Sequence, residues 1–114
     1  MPLIRITTNQ AASAEAQSAF LRQASAATAA MLGKPESYVM AIFNEQPQIL
    51  FAGSAEPAAY VELKSLGLPQ SSTADYSSQL CGLILEGLGI PPERTYIEFS
   101  APERHMWGWS GRTF

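Results

Sequence analysis

The sequence predicts an α+β domain in which two strand–helix–strand units form one four-stranded sheet with both helices on a single face. Three observations carry that reading. The chain repeats itself at an offset of 56: Leu32-Gly33-Lys34-Pro35 returns as Leu88-Gly89-Ile90-Pro91, Phe43 falls on Phe99, and Phe20 and Ala24 fall on Tyr76 and Leu80. Two segments space their apolar residues at the helical period, and each stops at a glycine with proline just beyond. Short β-favouring runs stand on either side of both. Two units are too few for a solenoid, which needs at least about three.

The elements follow in order. Leu3, Ile4 and Ile6 with Thr7 and Thr8 make the opening strand. From Ser13 to Leu32, Phe20, Ala24, Ala27 and Met31 recur by four, three and four, with Leu21 and Leu32 widening the stripe. Ser13 reads as the N-cap and Gly33 as the left-handed stop. Tyr38 to Phe43 reads as a buried strand, and Ile49-Leu50-Phe51 as a small extra one. Ala59 to Leu66 alternates in the manner of a strand with one buried face. Ser72 and Asp75 form a capping-box pattern ahead of Tyr76, Leu80, Leu83, Ile84 and Leu88. Gly89 ends that helix, and Thr95 to Phe99 closes the sheet.

Right-handed crossovers put both helices on one sheet face. The other face then needs cover, and only the tail from Met106 to Phe114 is left to supply it. Because Tyr38 to Phe43 is apolar at nearly every position, the uncovered face should be a large apolar patch. A homo-oligomer packing sheet on sheet is the expected solution.

At 114 residues with 46% hydrophobic content, the chain reads as one domain, 1–114, with room for a core. A net charge of -3 offers no basic footprint for nucleic acid. No apolar run suits a membrane span, and Met1-Pro2-Leu3-Ile4-Arg5 does not look like a secretory leader, so a cytoplasmic location is expected. One cysteine and one histidine exclude a disulfide framework and a Cys- or His-rich metal site. No phosphate-loop or dinucleotide pattern is present. No metal and no cofactor is expected.

Among the reactive side chains, His105 reads as a solvated loop residue, Cys81 as a buried helix thiol and Glu93-Arg94 as a solvated turn. Pro2 is different. Methionine is commonly removed ahead of proline, which would leave a free secondary amine at the end of a core strand. An α-amino group titrates near 7.7–8.0, and burial or a nearby cation lowers that value. Such a nitrogen can act as a neutral general base without any histidine. If the methionine stays, the same nitrogen is a tertiary amide with no basic lone pair. On the residues alone, Met-Pro is equally an ordinary start.

Met1-Pro2, Thr8-Asn9, Gly33-Lys34-Pro35, Gly53-Ser54 with Glu56-Pro57, Leu63-x-Ser65-Leu66-Gly67, Leu80-Cys81-Gly82-Leu83, Tyr96-Ile97 and Gly108-Trp109 with Thr113-Phe114 resemble the macrophage migration inhibitory factor family of the tautomerase superfamily. The relative D-dopachrome tautomerase belongs there too. The likeness runs nearly end to end. It implies the two-unit fold read above, assembled as a homotrimer whose sheets surround a solvent channel, with active sites between neighbouring subunits.

The resemblance implies an enol–keto tautomerase for phenylpyruvate-like 2-oxo acids. Pro2 would be the base, and Lys34 would bind the substrate carboxylate. As a residue in its own right, Lys34 is also simply a cation near a helix C-terminus. The Leu66 N–H, beside Ser65, matches a carboxylate-binding position. Tyr96 would come from the adjacent subunit, and Tyr38, Trp109 and Phe114 would wall an aromatic ring.

Departures from the family pattern are informative. Glu98 stands where the mammalian cytokine has asparagine, and a carboxylate there would oppose Lys34. Trp107 replaces a smaller aliphatic residue at the pocket mouth. The family's Cys-x-x-Cys is Ala58-Ala59-Tyr60-Val61 here, so thiol–disulfide chemistry is not expected. The early-loop arginine implicated in receptor contact is missing from Gln10 to Ala14. Three readings therefore stay open: a tautomerase, a trimeric ligand of a host receptor that leaves cells without a leader and whose turnover is incidental, or a trimer whose pocket is vestigial.

Overall fold

The computed structural model describes residues 1–114. The sheet is built from β1 (Leu3–Thr8), β2 (Met40–Glu45), β3 (Ala59–Lys64) and β4 (Thr95–Ser100), in the order β2-β1-β3-β4. β1 runs parallel to β2, β3 runs parallel to β4, and the two units meet antiparallel where Ile4 faces Leu63 and Ile6 faces Val61. Helices α1 (Ala14–Leu32) and α2 (Thr73–Leu88) supply the crossovers. Ile4, Ile6, Val61 and Leu63 of the sheet pack with Phe20, Ala24, Tyr76, Leu80 and Ile84 of the helices in a single buried cluster. Both helices therefore lie on one face, as the sequence predicts. Each large side chain in that cluster contributes about 1.5–3 kcal/mol by leaving water.

The repeat is visible in the packing. Phe20 of α1 meets Phe43 of β2 edge-on at 6.1 Å, and its counterparts Tyr76 and Phe99 meet at 6.4 Å. Gly33 and Gly89 end the helices at φ 64° and 70°, a conformation that penalises a Cβ. At Gly33 the stop is a Schellman motif: Lys34 N–H donates to Ala29 O and Gly33 N–H to Ala30 O. Ser13 caps α1 as expected, accepting from Ala16 N–H.

Several local readings need correction. Tyr38 is not in the strand. It closes a short 3-10 turn, Glu36–Tyr38, in which Val39 N–H bonds Glu36 O, and β2 starts at Met40. The Ser72–Asp75 box does not form. A 3-10 turn at Gln70–Ser72 takes Ser72 out of cap geometry, Thr73 Oγ1 bonds Gln70 O, and Asp75 accepts from Gln79 instead. Ile49-Leu50-Phe51 gives no strand, only one bridge between Phe51 and Ser54 around Ala52 and Gly53, both at positive φ. Cys81 is half-buried rather than buried, with its thiol pushed up by that desolvation.

Arg94 is the largest departure. Far from being a solvated turn residue, it bonds the carbonyls of Phe51, Ser54, Glu56 and Pro57 and lies over the Phe51 ring. It clamps the whole 51–57 loop to the start of β4.

The open sheet face also differs from expectation. Only β2 is apolar on both sides. Along the middle of the face run Arg5, Glu62, Lys64 and Glu98, and Glu62 is buried by ion pairs with Arg5 and Lys64. Exposed apolar bulk (Met40, Tyr60 and Tyr96) flanks that band. The tail does not cover the face. It folds into a small hairpin of β5 (Gly108–Trp109) and β6 (Arg112–Thr113) beside the N-terminus. No helix is long and apolar enough to cross a membrane.

Candidate active site

The N-terminal end of β1, the C-terminal end of α1, the turn after β3 and the tail hairpin converge on two adjoining hollows. The larger, about 660 Å³, is lined by Lys34, Tyr38, Leu66, Arg104, Trp109, Arg112 and Phe114 among others. The second, about 490 Å³, is lined by Pro2, Tyr38, Met40, Trp107 and Trp109. Met1 borders both. Volumes of this order suit a small aromatic acid.

Pro2 is fully buried, and its carbonyl accepts Met40 N–H at 3.0 Å, which fixes the end of β1 against β2. The terminal amine, here on Met1, is held below its ordinary value of 8.0 by burial first, then by the positive charges of Lys34 and Arg104. Lys34 reaches the site because the Schellman stop throws the chain away from α1. Its Nζ donates to Leu66 O at 3.3 Å.

Leu66 sits in a four-residue turn closed by Leu68 N–H on Ser65 O, with Gly67 at φ 66°. The Leu66 N–H meets no acceptor within the protein. Ser65 is wholly buried and lines neither hollow, and its hydroxyl points to Leu66 O at 3.4 Å. It stands beside the Leu66 N–H within the turn.

Trp109 and Phe114 stack at 6.1 Å with 17° between their planes, and Tyr38 stands exposed across from them. Phe114 N–H bonds Trp107 O, which holds the end of the tail to the hairpin. Trp107 lines the second hollow beside Pro2.

Tyr96 and Glu98 are elsewhere. In register they stand level with Thr7 and Arg5, whereas Ser100 stands level with Leu3. Four residues of strand separate Tyr96 from that level, roughly 13 Å along the sheet. Tyr96 is two-thirds exposed with its ring edge-on to Phe51 at 4.8 Å. Glu98 is exposed beside Tyr60, whose phenol is raised by partial desolvation and then by the carboxylates of Glu98 and Glu62. Neither residue reaches this chain's own hollows. His105 behaves as expected, solvated and 3.5 Å from Glu103.

The whole chain, residues 1–114, matches the family model for macrophage migration inhibitory factor. The chain belongs to that family. A homolog of macrophage migration inhibitory factor from Trichinella spiralis is 38% identical over all of both chains, and one from Brugia malayi 39% identical over all of this chain and 99% of its own. The crystal structure of a macrophage migration inhibitory factor homologue from Prochlorococcus marinus superposes with a TM-score of 0.90 at 43% identity, covering 98% of each chain. The fold is accordingly that of macrophage migration inhibitory factor structures.

Two charged residues that line the larger hollow escaped the sequence reading, Arg104 and Arg112. Nothing in helical or strand periodicity marks them. The available signal was weaker: each lies in the tail within five residues of an aromatic that lines the same cavity.

Proposed function

We propose that this chain, once Met1 is removed, is an enol–keto tautomerase acting on phenylpyruvate-like 2-oxo acids, with the Pro2 amine as general base. The observation that carries the reading is the meeting of four features around two adjoining hollows that share Met1, Tyr38 and Trp109. They are a buried N-terminal proline, a lysine, a backbone N–H without a partner and three aromatic walls. Removing Met1 would join the two hollows it borders and expose the Pro2 nitrogen in its place.

In this scheme the substrate carboxylate lies between Lys34 Nζ and the Leu66 N–H, and the ring lies among Tyr38, Trp109 and Phe114. The Pro2 lone pair takes a proton from the carbon next to the carbonyl. The C–H electrons form the C=C bond while the carbonyl π pair moves to oxygen, which takes a proton from the Pro2 ammonium, directly or by exchange through water, to give the enol and restore the neutral amine. The reverse path returns the proton to carbon, so the reaction is an isomerisation with no other reactant. A positioned base contributes about 10²–10⁴-fold. Burial and the two cations that lower the terminal amine in Met1 would act in the same sense on a freed Pro2 amine and favour its neutral form.

The enzyme works as a homotrimer in this reading. A neighbour lays its β4 across the open site and brings Tyr96 to the carbonyl oxygen and Glu98 to the rim. The assay is ultraviolet monitoring of phenylpyruvate conversion on protein whose intact mass lacks Met1. Pro2→Gly should lower kcat/KM by at least about 100-fold, and equal rates would remove the assignment. Protein that retains Met1 should be inactive, and sedimentation should give three copies. The relatives' shared name favours a second reading, a receptor ligand with incidental turnover. Receptor activity that survives Pro2→Gly would favour it.

A further inference from the structure

Three of the chain's seven basic side chains, Lys34, Arg104 and Arg112, line the larger hollow, and no acidic side chain does. That is a strong local excess in a chain of net charge -3. None of the three is in an ion pair, since the chain's carboxylate bridges involve Arg5, Lys64 and His105 only. One carboxylate, bound by Lys34 and the Leu66 N–H, uses one of these charges. Two remain with nothing to answer them.

Both arginines are exposed at the rim of the hollow. Arg112 lies over the Trp109 ring at 5.1 Å, in the geometry of a cation–π contact. Arg104 opens a short 3-10 turn, Arg104–Met106, closed by Trp107 N–H on Arg104 O at 3.3 Å. Arg104 lines the same hollow as Lys34 and Arg112. An arginine fork suits a planar carboxylate better than a lysine does.

We propose that Arg104 and Arg112 form a second anion subsite at the rim of this cavity. It selects 2-oxo acids that carry another negative group at the end remote from the 2-oxo carboxylate. Such a substrate is an aryl 2-oxo acid with an acidic ring substituent, or an extended 2-oxo dicarboxylate, rather than phenylpyruvate itself. The inference rests on the proposed site and deepens it. In the proposed trimer the neighbour's Glu98 adds one negative charge against three positive ones. The remaining double charge still matches a dianion.

The test uses unreactive ligands, so it does not depend on turnover. Cinnamate and 4-carboxycinnamate are titrated into the Met1-free protein while tryptophan fluorescence is followed. The dianion should bind about tenfold tighter at low salt, and that preference should shrink as salt screens the rim. In the Arg104→Gln/Arg112→Gln protein the two ligands should bind within about twofold of each other. Arg104→Lys/Arg112→Lys should keep part of the preference, and circular dichroism checks that the variants fold. Equal binding of both ligands by the unaltered protein overturns the subsite, and so does a preference that survives the double glutamine change. A preference present in a protein that cannot convert phenylpyruvate or 4-carboxyphenylpyruvate supports the subsite and overturns the tautomerase reading instead.

Discussion

Replacing Arg94 by glutamine removes four donated hydrogen bonds at once. The guanidinium bonds Pro57 O at 2.8 Å, Glu56 O at 3.0 Å, and Phe51 O and Ser54 O at 3.1 Å each. A hydrogen bond from a charged donor nets about 1.5–3 kcal/mol when buried. Arg94 is half-buried, and water can reach the loop carbonyls once it leaves, so about 0.5–1 kcal/mol per bond is the appropriate figure. The sum is a loss of about 2–4 kcal/mol. With an unfolding entropy of about 2.1 cal/mol/K per residue, this 114-residue chain should melt about 8–17 °C lower. Urea and thermal unfolding at one fixed protein concentration make the measurement, because assembly would otherwise shift the midpoint. Arg94→Lys should recover only part of the loss, since a single ammonium cannot span four carbonyls. The loop also seats Phe51 under the Tyr96 ring. In the proposed trimer its loosening should therefore cost turnover as well. A melting change of less than about 3 °C in Arg94→Gln, or full recovery by lysine, would refute the clamp.

Two glycines of α2 should respond to alanine with opposite signs. At Gly82 a Cβ meets nothing within 4 Å, so the helix gains about 0.5–1 kcal/mol. At Gly87 it would stand 2.5 Å from Phe20 Cδ1, inside a ring that is itself buried, and overpacking of about 1–3 kcal/mol outweighs the propensity gain. Unfolding of the pair side by side checks this. The pH dependence of kcat/KM tests the amine. The neutral form is the base. Burial, Lys34 and Arg104, which lower the terminal amine on Met1, should lower a Pro2 amine at the same place. The rate should therefore rise with pH through that depressed pKa and level off above it. Lys34→Met removes a charge that depresses the amine, so the rise should move to higher pH. Arg104→Gln should move it less, in the same direction.

What the sequence made legible was whatever repeats within one element. The helical stripe of Phe20 and Ala24, its counterpart at Tyr76 and Leu80, and the glycine stops all follow from local spacing, and together they set the layer order. Tyr38 escaped because an apolar run beginning with an aromatic looks like strand, while Pro35 ahead of it favours a turn that periodicity does not register. Arg94 escaped for a different reason. Its acceptors are main-chain carbonyls some 40 residues away, and carbonyls have no signature in a sequence. The same limit hid the meeting of Arg104 and Arg112 with Lys34. Pro2, Lys34, Leu66 and the tail aromatics were named through family resemblance, and Ser65, named with its neighbour Leu66, lies buried in the turn.

The open face of the sheet ties these observations together. An apolar patch there would have called for a dry sheet-on-sheet interface, yet Arg5, Glu62, Lys64 and Glu98 cross its middle and bury Glu62 among charges. Covering that band completely would strip the water from three charged groups besides the already buried Glu62, at a cost that a partner's apolar surface does not repay. Met40 and Tyr96, on the outer strands, have no such constraint and remain exposed in the single chain. An assembly that packs its edges against neighbours while leaving the middle wet satisfies both halves of the face. A ring of sheets around a solvent channel has that geometry, and a flat two-sheet sandwich does not. In the proposed trimer the same arrangement would take Tyr96 and Glu98, which do not reach their own Pro2, to the site of the next subunit. Assembly and chemistry in the proposed enzyme are thus set by one surface, whose charged centre fixes how the copies meet and whose edge completes each active site.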